Sequence, residues 1–135
     1  MRLSFEACAG DFAIVRCAPQ MPLPDGDQGG AFFATIRTGA ELSLVCAAEA
    51  VPASAQQCSR GWRLIRLVGP FDLAMTGVLL QVLAPLAEAA VPVFAISTFD
   101  TDYVLVPAAL LDVACEALIA AGHRRAAPGD PAETR

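Results

Sequence analysis

Two segments of the chain repeat one another. Phe33-Ala34 returns as Phe94-Ala95, Glu41 as Asp102, and Leu44-Val45 as Leu105-Val106, each pair 61 residues apart. Each segment is a strand-like run, a short polar turn, and a second strand opened by an acid. Upstream, Val15-Arg16 resembles Ile65-Arg66, but there the spacing is 50 residues. The first copy is therefore 11 residues shorter between its first strand and its hairpin. The shortfall falls on PQMPLPDGDQGG, residues 19–30, whose three prolines and three glycines cannot form a long helix. A worn duplication of a strand–helix–strand–strand–helix unit accounts for the pattern. A chain of 135 residues then holds two half-size units that share one core.

The rest of the chain supplies the elements such units need. Leu3–Glu6 and Phe12–Arg16 read as strands on either side of a Gly10-Asp11 turn, followed by strands at 31–37, 42–46 and 62–68. Asp72 is placed to cap the strongest helix of the sequence, and a plain cap is its ordinary reading, ahead of a place in a site. Leu79, Val82, Leu83, Leu86 and Ala90 repeat at the spacing of one buried helical face. Pro85 removes the hydrogen bond to the Gln81 carbonyl and should bend that helix. Strands at 92–98 and 102–106 flank the turn Phe99-Asp100-Thr101. A second helix from Ala108 carries Leu110, Leu111, Ala114 and Leu118 and stops at Gly122. One helix between strands, then a hairpin, then another helix is a ferredoxin-like order, so the fold class is α+β. The divisions expected are 1–60, 61–123, and a disordered tail at 124–135.

Composition removes whole classes of function. Apolar residues make up 56% and charged residues 17%, which excludes an intrinsically disordered chain. All nine cations are arginines, against 14 acids, and none gathers into the basic stripe that a phosphate backbone requires. No nucleic-acid partner is expected. The longest apolar stretch, 73–93, is interrupted by Gln81, Pro85, Glu88 and Pro92, and the N-terminus lacks a signal peptide's continuous apolar run. A cytoplasmic protein that does not enter the membrane is expected. The five cysteines are scattered, without a C-x-x-C pair, and read as small apolar fillers rather than a zinc site. His123, the sole histidine, sits beside the tail and is poorly placed as a general base, and no nucleophile elbow, phosphate loop or H-E-x-x-H motif occurs. Neither catalysis nor a cofactor is expected.

A resemblance appears in GWRLIR at 61–66, GPFD at 69–72, TGVL at 76–79, APLAE at 84–88 and FAISTFDTDYVLV at 94–106. These segments resemble the ACT domain, in particular the small bacterial tandem-ACT proteins related to the ACT regions of aspartate kinases and cytosolic arginine sensors. Residues 41–46 echo the last block in the first copy. The resemblance implies two ACT-like units, the first degenerate with a shortened first helix, in a non-catalytic regulatory protein that binds an amino acid or another small metabolite and pairs as a homodimer. It also implies that Gly77, Thr98, Phe99 and Asp102 meet the ligand, with Asp72 and Ser97 behind them. Chemistry is consistent with that set: a helix N-terminus suits a carboxylate, and Asp100 or Asp102 suits an ammonium. Ser97 and Thr98 are also ordinary turn formers, and Gly77 and Phe99 also serve packing. Where the arginine-sensing relatives carry an acid near the helix start, this chain has Met75, which speaks against a cationic ligand side chain. The competing reading is a protein–protein interaction module that keeps the fold without a ligand pocket.

Overall fold

The computed structural model describes residues 1–24 and 32–128. In chain order the elements are β1 (Ser4–Ala7), β2 (Phe12–Cys17), β3 (Ala34–Arg37), β4 (Leu42–Ala47), β5 (Gln57–Leu67), α1 (Val78–Glu88), β6 (Phe94–Ser97), β7 (Asp102–Pro107), α2 (Leu111–Ala120) and β8 (Arg124–Arg125). The chain divides into two compact units. One joins Met1–Ala9 to the residues from Arg63 onward; the other is Gly10–Trp62. Strand β5 contributes to both.

The first, helical unit has a sheet with α1 and α2 packed on it. β1 runs antiparallel to β5 with Phe5 opposite Leu67, so a strand from the first half of the chain completes the sheet of the second. β7 pairs with β5 and with β6. Because strand side chains alternate, Leu3, Phe5, Ile65, Leu67, Val104 and Val106 turn to one face. Val78, Val82 and Leu86 of α1, spaced by four, and Ala114 and Leu118 of α2 close over them. Leu79 and Leu83, expected on the buried face, are only partly buried.

Helix α1 begins at Val78, with Gly77 in the left-handed conformation at its N-cap, φ 79°. Asp72, expected as the cap, instead closes a turn of its own. Its Oδ1 accepts the Ala74 N–H at 2.8 Å, and its carbonyl accepts the Met75 N–H at 3.0 Å. A short acidic side chain can bond to its own backbone in this way, and here that competes successfully with helix initiation. Both helices end in the same motif. After α2 the positive-φ position is Gly122; after α1 it is Ala90, at φ 57°. The Val91 N–H reaches the Leu86 carbonyl and the His123 N–H the Leu118 carbonyl, the long bond of a Schellman motif.

Pro85 leaves the Gln81 carbonyl without its helical donor, and the lone histidine supplies one. His123 Nε2 lies 3.0 Å from the Gln81 carbonyl, while its Nδ1 accepts the Leu3 N–H at 3.1 Å. Accepting at Nδ1 requires the proton on Nε2, so Nε2 donates. His123 is 5% exposed and is a structural tie. Just beyond it, Arg124–Arg125, expected to begin a tail, form β8 parallel to β1. The Arg124 N–H donates to the Leu3 carbonyl and the Ala126 N–H to the Phe5 carbonyl. Residues 129–135 of that expected tail lie outside the described residues.

In the Gly10–Trp62 unit the strand order is β3-β4-β2-β5. Ala13, Val15, Cys17, Leu42, Leu44 and Cys46 form its core, with Met21, Phe33 and Val51 against them. The β2–β5 register shifts between Phe12 and Ile14, where Gly61 has φ 79°. Among the described residues this unit has no α-helix. Residues 25–31 of the Pro/Gly stretch lie outside the described residues.

The two hairpins correspond, at a spacing of 60 residues rather than the 61 read from residue identities. β3 precedes β6, and β4 precedes β7, by 60 positions, as do the 3₁₀ turns Ala48–Ala50 and Ala108–Leu110. The turns fix this alignment. The Thr38 N–H donates to the Glu41 carbonyl at 2.9 Å, and the Thr98 N–H to the Thr101 carbonyl at 2.8 Å. Each threonine hydroxyl also accepts the N–H three residues on. Backbone geometry, not the shared Phe-Ala pair, sets the register.

Candidate functional site

The hairpin turn of the helical unit and the loop before α1 are built as one piece. The Thr101 hydroxyl, almost fully buried, donates to the Leu67 carbonyl at 2.8 Å, and the Phe71 N–H donates to the Asp100 carbonyl at 2.8 Å. Gly69, joined to Pro70 by a cis peptide, lies so close to this turn that a Cβ would come within 3.0 Å of the Asp100 carbonyl oxygen. A side chain at this position would crowd that oxygen, which glycine avoids.

A hollow of about 180 Å³ opens between this turn and the start of α1. Phe71, Met75 and Val78 form its apolar side, and Ser97, Thr98 and Asp102 face them. Asp72, Leu73, Phe99, Asp100 and Thr101 complete the lining, and among the described residues no cationic side chain takes part in it. No side chain caps α1. Its first internal bond runs from the Gln81 N–H to the Gly77 carbonyl at 3.3 Å, which leaves the N–H groups of Val78, Leu79 and Leu80 without helical partners. A helix start in this condition carries partial positive charge and free donors, and so accepts an anion.

The six residues singled out from the sequence fare differently. Asp72, Ser97, Thr98, Phe99 and Asp102 all line the hollow; Gly77 does not, and acts by setting the start of α1. The Ser97 hydroxyl donates to Asp102 Oδ1, which orients the carboxylate. The Thr98 hydroxyl donates to the Thr101 carbonyl, so its proton is spent within the turn, as in Thr38. Phe99 is 79% exposed. Phe71 and Leu73 escaped the sequence reading because the loop containing them has no periodicity to interpret. A second hollow of about 310 Å³ shares Phe71, Asp72, Leu73, Phe99 and Asp100 with the first and adds Pro70.

In the other unit the corresponding hairpin is tied to the segment after β2. Arg37 stands where Ser97 stands in the second hairpin, and its guanidinium donates to the Pro19 carbonyl and, at 2.9 Å, to the Met21 carbonyl. Elsewhere, burial pushes the Cys8, Cys17, Cys46 and Cys115 thiols above the usual thiol range, which suppresses the nucleophilic thiolate. Among the described residues no His, Cys, Asp and Glu side chains gather into a metal-binding group. No helix among them is long and apolar enough to cross a membrane.

A family model described as the ACT domain matches residues 57–120, from β5 through α2. A second model, of an N-terminal domain, matches residues 10–54, inside the Gly10–Trp62 unit. No curated protein matches the sequence. Among solved structures, a protein of Agrobacterium tumefaciens is 30% identical, with 99% of each chain covered and a TM-score of 0.84. A Vibrio cholerae protein of unknown function is 26% identical over 88% of this chain and 89% of its own, with a TM-score of 0.65. The regulatory subunit of aspartate kinase from Thermus thermophilus shares the fold at 11% identity, with 83% and 92% covered and a TM-score of 0.57. The chain thus belongs to one family with the Agrobacterium tumefaciens protein, and its residues 57–120 carry an ACT domain.

Proposed function

We propose that the protein is a non-catalytic regulatory ACT protein that binds an α-amino acid in the hollow between α1 and the β6–β7 turn. The observation that carries this reading is the uncapped α1 N-terminus beside Ser97 and Asp102 in one hollow. Free N–H groups receive the ligand carboxylate, and the Asp102 carboxylate, held by Ser97, receives the ammonium. The ACT domain and the fold shared with a regulatory subunit support a regulatory role over a catalytic one. The matching hairpins support a tandem origin in which the first unit lost its site, because Arg37 holds the segment after β2 where the hollow would open. One ligand per chain follows. The protein acts in the cytoplasm as a homodimer, and ligand binding favours one packing over another by differential affinity.

Thermal denaturation with each of the twenty amino acids tests the reading. A ligand at 100 times its dissociation constant adds about 2.7 kcal/mol, roughly 10 °C in melting temperature for a chain of this size. Asp102→Ala should abolish that shift; an unresponsive panel sinks the proposal. The alternative, an interaction module without a ligand, draws on exposed Leu73, Leu80 and Phe99. It predicts that Phe99→Ser dissociates an oligomer in sedimentation whether or not amino acids are present.

A further inference from the structure

We propose that the ligand is an α-amino acid with a large uncharged side chain, aliphatic or aromatic. Its carboxylate and ammonium lie in the smaller hollow and its side chain lies in the larger. The inference rests on the reading just given and narrows its ligand class.

Room decides the first step. The smaller hollow, about 180 Å³, holds the volume of about six water molecules. That exceeds the amino-acid head and leaves room for the start of a side chain. The adjoining hollow of about 310 Å³ shares Phe71, Leu73 and Phe99 with the lining of the first, so a side chain leaving the head runs along those same residues.

Chemistry decides the second. Pro70, Phe71, Leu73 and Phe99 make the larger hollow chiefly apolar. Leu73 and Phe99 are 69% and 79% exposed, an unfavourable state for such side chains that an apolar ligand would relieve by covering them. A second carboxylate on the ligand would meet Asp72, Asp100 and Asp102, with no cation among the described residues of either lining to balance it. A cationic side chain would find Asp100, but both Asp72 and Asp100 belong to exposed residues, and the Asp72 Oδ1 already accepts the Ala74 N–H. An exposed ion pair improves affinity about fivefold at most, whereas filling an apolar pocket is worth about tenfold or more. Apolar contact therefore outweighs charge here.

The test is titration calorimetry of the full chain with L-phenylalanine, L-leucine, L-alanine, L-lysine and L-glutamate. Phenylalanine and leucine should bind at least tenfold tighter than alanine and tighter than lysine, and glutamate should not bind. Leu73→Ser, at an exposed position that leaves folding intact by circular dichroism, should reduce the phenylalanine-to-alanine ratio below threefold. Cys58→Ser, on a strand of the other unit, should leave the ratio unchanged. Alanine equal to phenylalanine, or lysine or glutamate tightest, would overturn the ligand class while leaving an amino-acid site in place. Silence from all five would overturn the site itself.

Discussion

Replacing His123 by alanine removes one imidazole and leaves two backbone groups without partners. The Leu3 N–H loses its acceptor in a buried setting, at the full cost of an unsatisfied donor, about 1–3 kcal/mol. The Gln81 carbonyl, already denied its helical donor by Pro85, loses its replacement at a part-buried position where water recovers some of the loss. Together the change should cost about 3 kcal/mol, a large share of the roughly 5–15 kcal/mol that stabilises a domain. Urea denaturation followed by the helical circular dichroism signal reads it. With a slope of about 1.5–2 kcal/mol/M, the midpoint should fall by about 1.5–2 M at constant slope. A double-mutant cycle isolates the mechanism. In a Pro85→Ala background, residue 85 regains an N–H that can serve Gln81, so His123→Ala should then cost about 1 kcal/mol less. A loss below about 1 kcal/mol for the single variant, or no coupling to position 85, would refute the tie.

Three further outcomes follow from the same geometry. Ala90 holds a left-handed conformation that glycine adopts without strain, so Ala90→Gly should stabilise by about 0.5–1 kcal/mol in urea denaturation, and destabilisation would contradict the Schellman assignment. Gly69→Ala puts a Cβ 3.0 Å from the Asp100 carbonyl oxygen, whose retreat lengthens the Phe71–Asp100 bond, so it should both lower the melting temperature and blunt its response to amino acids. Burial raises the folded-state values of the Cys8, Cys17, Cys46 and Cys115 thiols, so the folded chain keeps protons that the unfolded chain releases. Stability is then complete below about pH 8.5 and declines as pH rises beyond it, and a Cys17→Ala/Cys46→Ala variant should show a shallower decline between pH 7.5 and 10.

The core was legible wherever burial imposed a period. Ile65 and Leu67, or Val104 and Val106, alternate as strands must, and Val82 and Leu86 repeat as a helix must. The elements missed are those without an apolar period. The first five residues of β5, from Gln57 to Gly61, are exposed and carry no apolar rhythm, and β8 is two exposed arginines paired with β1. Asp72 misled because its residue type suits a cap and an isolated turn equally, and the outcome depended on Gly77 five positions later. The role of His123 could have been inferred from Pro85, since a proline inside a helix creates a carbonyl in need of a donor. Of the site, Ser97, Thr98, Phe99 and Asp102 were accessible from turn chemistry and resemblance. The apolar wall formed by Phe71 and Leu73 was not, because it depends on Gly69 docking the loop against Asp100.

Stoichiometry tests the central claim most directly. Calorimetric titration of the protein with L-phenylalanine should give one ligand per chain, and Asp102→Asn, which keeps the shape of the side chain and removes its charge, should weaken binding at least tenfold. Two ligands per chain, or an affinity unchanged by Asp102→Asn, would contradict a single site between α1 and the β6–β7 turn.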